Sequence, residues 1–263
     1  MRRAAIIAVL LLSVLAALFF QRNPLTGGAQ RYATTVAASA GGVYLTLRSL
    51  NAFLSTAQEI EVGGTFVVSG TAQPFKVLEP VDDTVERVAG LVFFVMVATG
   101  VLSVAMGPAS ALGYAMLAGA AALWLVTAQG GQGARVARRL GWYGAFLGLA
   151  VPLSFLIAGQ LSELMTEGVM AQNAAILAEI SAQADPAILP EASGNGWLPD
   201  MGGMWNDLDR YRTLAGNIYA RADELVASLI SILAVFIFRL LILPALLMGG
   251  LFVVARNLAR PAP

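Results

Sequence analysis

One run near the end of the chain limits what it can become. From Leu225 to Ala255 every residue is apolar or small except Arg239. A bilayer is crossed by about 20 apolar residues in a helix, and residues 226–254 exceed that length. Just upstream, Asn206, Asp207, Asp209, Arg210 and Arg212 are polar, and no strong stop signal separates the two halves. Residues 205–256 therefore read as one helix that leaves water and enters lipid. The remaining segments are expected to pack on it.

Composition points the same way. Of 263 residues, 58% are hydrophobic and 12% charged, against about 25% charged in a soluble domain. A formal net charge of zero argues against a nucleic-acid partner. Neither Cys nor His occurs. Thiol nucleophiles, imidazole bases, disulfides, thiolate zinc sites and His-ligated haem are thereby removed together. With no phosphate loop, dinucleotide fingerprint or nucleophile–base pair in view, the expectation is a non-enzyme with no catalytic residues, no cofactor and no metal. Fifteen arginines against a single lysine, Lys76, in an Ala- and Gly-rich chain suggest a bacterial source.

Residues 1–20 begin with Arg2-Arg3 and continue as the apolar run 4–20. Arginines ahead of a first apolar segment hold that end in the cytoplasm. A cleaved signal needs small residues directly after its apolar core. Leu18-Phe19-Phe20-Gln21-Arg22 is bulky, so an uncleaved anchor is expected. Residues 21–85 then lie in the periplasm. There Tyr32, Val36, Ala40, Val43, Leu47, Leu50 and Leu54 recur at steps of three and four, one face of an amphipathic helix over 30–56. Gly41-Gly42 is a candidate kink. Ile60-Glu61-Val62, Thr65–Val68 and Phe75–Leu78, parted by glycines and Pro74, read as a small β-hairpin.

Residues 86–159 carry the apolar runs 88–106, 109–128 and 140–159. Gly107-Pro108 is expected to break the first from the second, and Pro152 lies inside the third. Gln129–Gly133 reads as a loop, followed by Arg135, Arg138 and Arg139. Residues 160–225 form a second polar region. Leu161, Met165, Val169, Ile176 and Ile180 predict an amphipathic helix, and Asp185–Pro199 a loop. Leu208, Tyr211, Ala215, Ile218, Ala222 and Leu225 predict a bundle seam. Ten acids against three arginines leave this region at −7. Residues 226–263 are the last membrane helix and a tail with Arg256 and Arg260.

Five ordinary crossings would export the Arg135–Arg139 cluster and keep the −7 region inside, against the Lys/Arg rule. If residues 86–128 cross only once net, one of their two runs being re-entrant or interfacial, four crossings result. Both polar regions then face the periplasm, where their amphipathic helices can pair. The expected fold is an all-α integral membrane protein with four to five membrane segments, a periplasmic helical bundle and a small β-hairpin. Its expected place is the bacterial inner (cytoplasmic) membrane, multi-pass.

The block Val77-Leu78-Glu79-Pro80-Val81-Asp82-Asp83-Thr84-Val85-Glu86-Arg87, with the later Leu243-Pro244, resembles an uncharacterised family of proteobacterial inner-membrane proteins. That family carries an Asp/Glu-Pro-x-Asn/Asp-Asp-x-Val/Ile-Glu block before a membrane segment and a Leu-Pro in its last apolar helix. Val88 stands where an aromatic is expected. The resemblance implies architecture and no activity.

Six residues are candidates for function. Glu79, Asp82, Asp83 and Glu86 fall at i, i+3, i+4 and i+7, on one helical face. They either form a cation-attracting vestibule or simply cap a helix and complement its dipole. Arg239 near the middle of the last apolar run either gates an anion path or snorkels to the interface. Pro244 and then Gly249-Gly250 are expected to kink that helix or let another pack closely. Met165, Met170, Met201 and Met204 read as apolar filler rather than a copper site, and Trp142, Trp197 and Trp205 as interfacial residues. Two function classes remain open. One is an accessory or scaffold protein of a larger membrane complex, expected from the apolar seams on three extramembrane helices. The other is an oligomeric ion channel or transport-related protein with a periplasmic cap. Expected partners are the bilayer and other membrane subunits or copies of itself.

Overall fold

The computed structural model describes residues 2–64, 78–127, 132–188, 213–214 and 216–258. Its elements are α1 (Arg2–Leu18), α2 (Pro24–Gly64), α3 (Glu79–Val126), α4 (Gln132–Ala145), α5 (Val151–Ile188), α6 (Ala222–Ile237) and α7 (Leu243–Leu258). Three helical stretches are long and apolar enough to cross a membrane: Glu79–Val126, Gln132–Ala182 and Ala222–Arg256. The chain is thus a membrane protein by length and composition of its helices. Arg3–Leu18 is apolar but shorter. Among the described residues three helices reach membrane length, against the four to five membrane segments expected.

Two further corrections concern where helices stop. Gly107-Pro108 does not end a helix; α3 runs through it for 48 residues, about 72 Å. Pro108 costs one backbone hydrogen bond and is exposed there. The runs 88–106 and 109–128 therefore belong to one rod, not to two segments. The β-hairpin is not seen among the described residues. Residues 59–64, with the β-prone Ile60-Glu61-Val62, form the last turns of α2. Extending a formed helix adds a hydrogen bond for each residue fixed, which overrides a short β-prone run. Residues 65–77, the rest of that expectation, lie outside the described residues. So do most of the 185–199 loop, Gln129–Gly131 and Trp205–Arg212.

Prolines shape the long rods in a way periodicity does not reveal. Pro152 and Pro244 each follow a π turn, Phe146–Ala150 and Phe238–Ile242 respectively. A proline offers no N–H to the carbonyl four residues back and its ring crowds that carbonyl. An i→i+5 turn just before it widens the helix and relieves the clash. At Pro244, expected to kink the helix or let another pack closely, the helix runs on through a π turn, itself a place where helices bend. A second interruption falls at Arg221, a turn residue ahead of α6. Among its described residues, the single 205–256 helix is therefore divided.

The chain forms two compact units, one of 1–38, 96–165 and 237–263, the other of 39–95 and 166–236. The second unit is the polar one. It holds Glu79, Asp82, Asp83 and Glu86 of the first polar region, the described residues of the second from Thr166 onward, and the start of the last apolar stretch. Its core is Leu47, Leu50, Phe53 and Leu54 from α2, Val85 and Val92 from α3, Ile180 from α5, and Leu225, Leu229, Ile232 and Phe236 from α6. These recur at three- and four-residue steps, so each helix turns one apolar stripe inward. Arg221 joins α5 to α6 on its surface, bonded to Glu179 at 2.7 Å and Glu224 at 2.8 Å.

Candidate functional site

The first unit holds most of the apolar length of the membrane helices, and its interior carries a polar seam along α2. The chain leaves α1, makes a 3-10 turn at Phe20–Arg22, and restarts at Asn23-Pro24. Asn23 accepts from the Leu25 N–H through Oδ1 at 3.0 Å, an N-cap, with Pro24 at the first helical position. Its Nδ2 donates to the Tyr114 hydroxyl of α3 at 3.0 Å. One turn on, Thr26 and Ser110 hydroxyls meet at 3.0 Å, both fully buried. Gln30 donates to the Ser103 carbonyl at 3.1 Å. Tyr32 donates to the Arg239 carbonyl at 2.9 Å. In lipid a polar group must find its partner inside the protein, so these bonds pin α2 to α3 and to the last rod. Measured membrane pairs of this kind contribute about 0.6 kcal/mol. A Thr26→Val, Ser110→Ala double-mutant cycle followed by unfolding in detergent is expected to return a coupling on the order of 0.5–1 kcal/mol. A coupling indistinguishable from zero refutes the bond's contribution.

Closest packing is made by glycine. A Cβ on Gly113 of α3 would lie 2.2 Å from the Gly148 backbone nitrogen. One on Gly144 would lie 2.7 Å from the Gly113 oxygen and the Leu117 nitrogen. Gly144 and Gly148 are four apart, the small-x-x-x-small spacing that lets two helix backbones touch. The pair Gly249-Gly250, expected to kink the last helix or let another pack closely, has nothing within 4 Å of either built Cβ. The centre of the unit is filled by Ala29, Met106 and Phe155.

The six residues named from the sequence separate into two places. Arg239 is half-buried in the π turn Phe238–Ile242, and its carbonyl receives the Tyr32 bond. Pro244 is buried just after that turn. Ser154 donates to the Ala150 carbonyl of its own rod at 2.7 Å. Glu79, Asp83 and Glu86 are exposed on the first turns of α3, as the shared-face spacing predicts. Asp82 is half-buried and lies 3.5 Å from the Ser55 hydroxyl of α2. Among the described residues, no group of three His, Cys, Asp or Glu side chains could hold a metal ion. Met165 is exposed and Met170 half-buried, while Met201 and Met204 lie outside the described residues. Sequence reasoning missed Asn23, Thr26, Ser110, Tyr114 and the Gly113–Gly144–Gly148 crossing. Asn23-Pro24 as a cap signature and Gly144-x-x-x-Gly148 were the signals available.

A crevice of about 930 Å³ opens between the α4–α5 rod and α7. Its walls include Trp142, Phe146 and Leu153 on one side and Leu251 and Phe252 on the other, with Arg138 and Arg139 at its edge. No family model, curated protein or solved structure matches this chain.

Proposed function

We propose that the chain is a non-enzymatic, multi-pass subunit of the bacterial cytoplasmic membrane that acts as an accessory or scaffold element of a larger membrane assembly. Its acidic segments would lie in the periplasm and its Arg135–Arg139 cluster in the cytoplasm, following the Lys/Arg rule.

Of the three stripes first expected to support this reading, those on 30–56 and 216–225 are largely buried among the described residues, whereas Leu161, Met165 and Val169 of the stripe on 161–182 stay exposed. The outward face of α2 takes over that role. Arg31, Thr34, Thr35 and Ala38 are exposed there, and no large apolar residue between 20 and 44 is exposed. At the same level α3 exposes Val97, Val101 and Val104, and α5 exposes Ile157, Leu161 and Leu164. From the interfacial Trp142, about 20 residues of helix, enough for a bilayer core, reach Ser162. Tyr32 stands against Gly159, inside that span.

Lipid is a poor neighbour for this face. A guanidinium at bilayer depth is costly unless it faces protein or water. Thr34 and Thr35 hydroxyls already bond the Gln30 and Arg31 carbonyls, at 2.9 and 3.0 Å, so they ask nothing further of a neighbour. Thr34, Ala38 and Gly42 repeat a small residue every four positions, a surface suited to a close-packed helix. A transmembrane helix of another subunit fits it.

The test is photo-crosslinking in cells with benzoylphenylalanine at Thr34 or Ala38, and at Val104 as a lipid-facing reference. A single discrete adduct at Thr34 or Ala38 is expected, whose second polypeptide also co-purifies with the unmodified chain. Adducts with lipid alone, as at Val104, or only with a second copy of this chain, overturn the accessory reading.

A further inference from the structure

We propose that the crevice between the α4–α5 rod and α7 is a binding site for one anionic phospholipid drawn from the bilayer leaflet on the arginine side. The inference does not use the α2 face and stands or falls apart from the accessory reading.

Three observations converge on that occupant. The first is the division of the lining by chemistry. Arg138 and Arg139 stand at one end. Beyond them the wall is apolar: Phe146, Leu149 and Leu153 along one rod, Met248, Leu251 and Phe252 on the other. A ligand charged at one end and hydrocarbon along its length matches both parts. Two guanidiniums offer forked donors that suit a phosphate diester.

Depth is the second. Trp142 to Leu153 covers about 16 Å of helix, close to half of a ~30 Å hydrocarbon core. The apolar wall is therefore as long as one leaflet's chains. Trp142 and Tyr143 line the groove beside the arginines, where amphipathic rings would mark the lipid–water boundary.

The third is how the groove is held open. The π turn Phe146–Ala150 does two things at once. Its Gly148, with Gly144 just before it, is pulled onto α3 at backbone contact. Its Phe146, Leu149 and Ala150 line the groove toward α7. Apolar side chains on both walls stay substantially uncovered, Phe146 at 43% and Phe252 at 53%. A volume of about 930 Å³ is within the range of ligand sites. Basic pockets between membrane helices on the cytoplasmic side favour acidic headgroups, and each arginine near the surface contributes roughly a fivefold preference.

Trp142 reports on occupancy directly. The chain is made with Trp142 as its single tryptophan, by Trp124→Phe, Trp197→Phe and Trp205→Phe, and placed in phosphatidylcholine vesicles. Brominated-chain phosphatidylglycerol is compared with brominated-chain phosphatidylcholine as quencher. A relative binding constant on the order of tenfold in favour of the anionic lipid is expected. Arg138→Gln with Arg139→Gln is expected to remove that preference. Arg135→Gln removes an exposed charge from the same helix without touching the groove, and is expected to leave it. Equal quenching by both lipids overturns the proposal. So does a preference that survives the double substitution, or one that Arg135→Gln lowers equally, since either marks general surface attraction. Native mass spectrometry of the unsubstituted chain released from mixed-lipid nanodiscs provides a second readout. One retained phosphatidylglycerol per chain, lost on Arg138→Gln with Arg139→Gln, agrees with the site; phosphatidylcholine retained as often overturns it.

Discussion

Gly113→Ala is expected to be among the most damaging single-methyl additions this chain can receive. The new Cβ would fall 2.2 Å from the Gly148 nitrogen and 2.7 Å from its Cα. Both are backbone atoms of the facing helix, so no side chain can turn aside. The helices must separate, and the Ser110 hydroxyl, 3.5 Å from the Gly148 carbonyl, moves with them. Overpacking a tight core costs typically 1–3 kcal/mol, and a backbone-on-backbone clash belongs at or above the top of that range, about 3 kcal/mol. Thermal or denaturant unfolding in detergent measures it. Gly249→Ala and Gly250→Ala supply the contrast, since nothing lies within 4 Å of either built Cβ. Alanine is a better helix former than glycine by roughly 0.5–1 kcal/mol, so these two are expected to be neutral or slightly stabilising. Equal effects at Gly113 and Gly249 would refute the crossing.

Phe53→Ala in the polar unit is expected to cost about 3–5 kcal/mol. Phe53 is wholly buried beside the Leu50 and Leu54 layer of α2. Truncation removes a ring and leaves a void that four stiff helices refill only in part. Phe94, in α3 of the same unit, is 65% exposed. Phe94→Ala is expected to stay within about 0.5 kcal/mol. Unfolding midpoints of the two variants decide the matter, and a Phe94 effect as large as that of Phe53 would mean the buried face has been assigned the wrong way round.

Several features were legible because they depend on local spacing alone. The stripe Tyr32, Val36, Ala40, Val43, Leu47, Leu50, Leu54 names one side of a helix whatever that side meets, and all are buried except the half-buried Tyr32. Acids at the start of α3 and apolar length in the three long rods were visible for the same reason. The misreadings share a different cause. Gly107-Pro108 looked like a stop because propensity speaks of a helix alone in water. Ile60-Glu61-Val62 looked like a strand because three residues carry too little pattern to outweigh the helix entering them. Gly249-Gly250 left open a kink or a close contact, because a glycine pair shows only that close approach is allowed; nothing of this chain lies within 4 Å of either built Cβ.

The sequence by itself determined that this chain is helical and membrane-bound. Hydrocarbon length, the missing Cys and His, and three-to-four periodicity are properties of residues near one another along the chain. Only the tertiary structure decided which glycines touch, that Thr26 meets Ser110, that Tyr32 holds the Arg239 carbonyl, and that a groove remains between the α4–α5 rod and α7. Each of those joins residues tens to hundreds of positions apart. The register between long rods is set by where backbones fit at contact distance, and one chain's periodicity repeats too evenly to choose it.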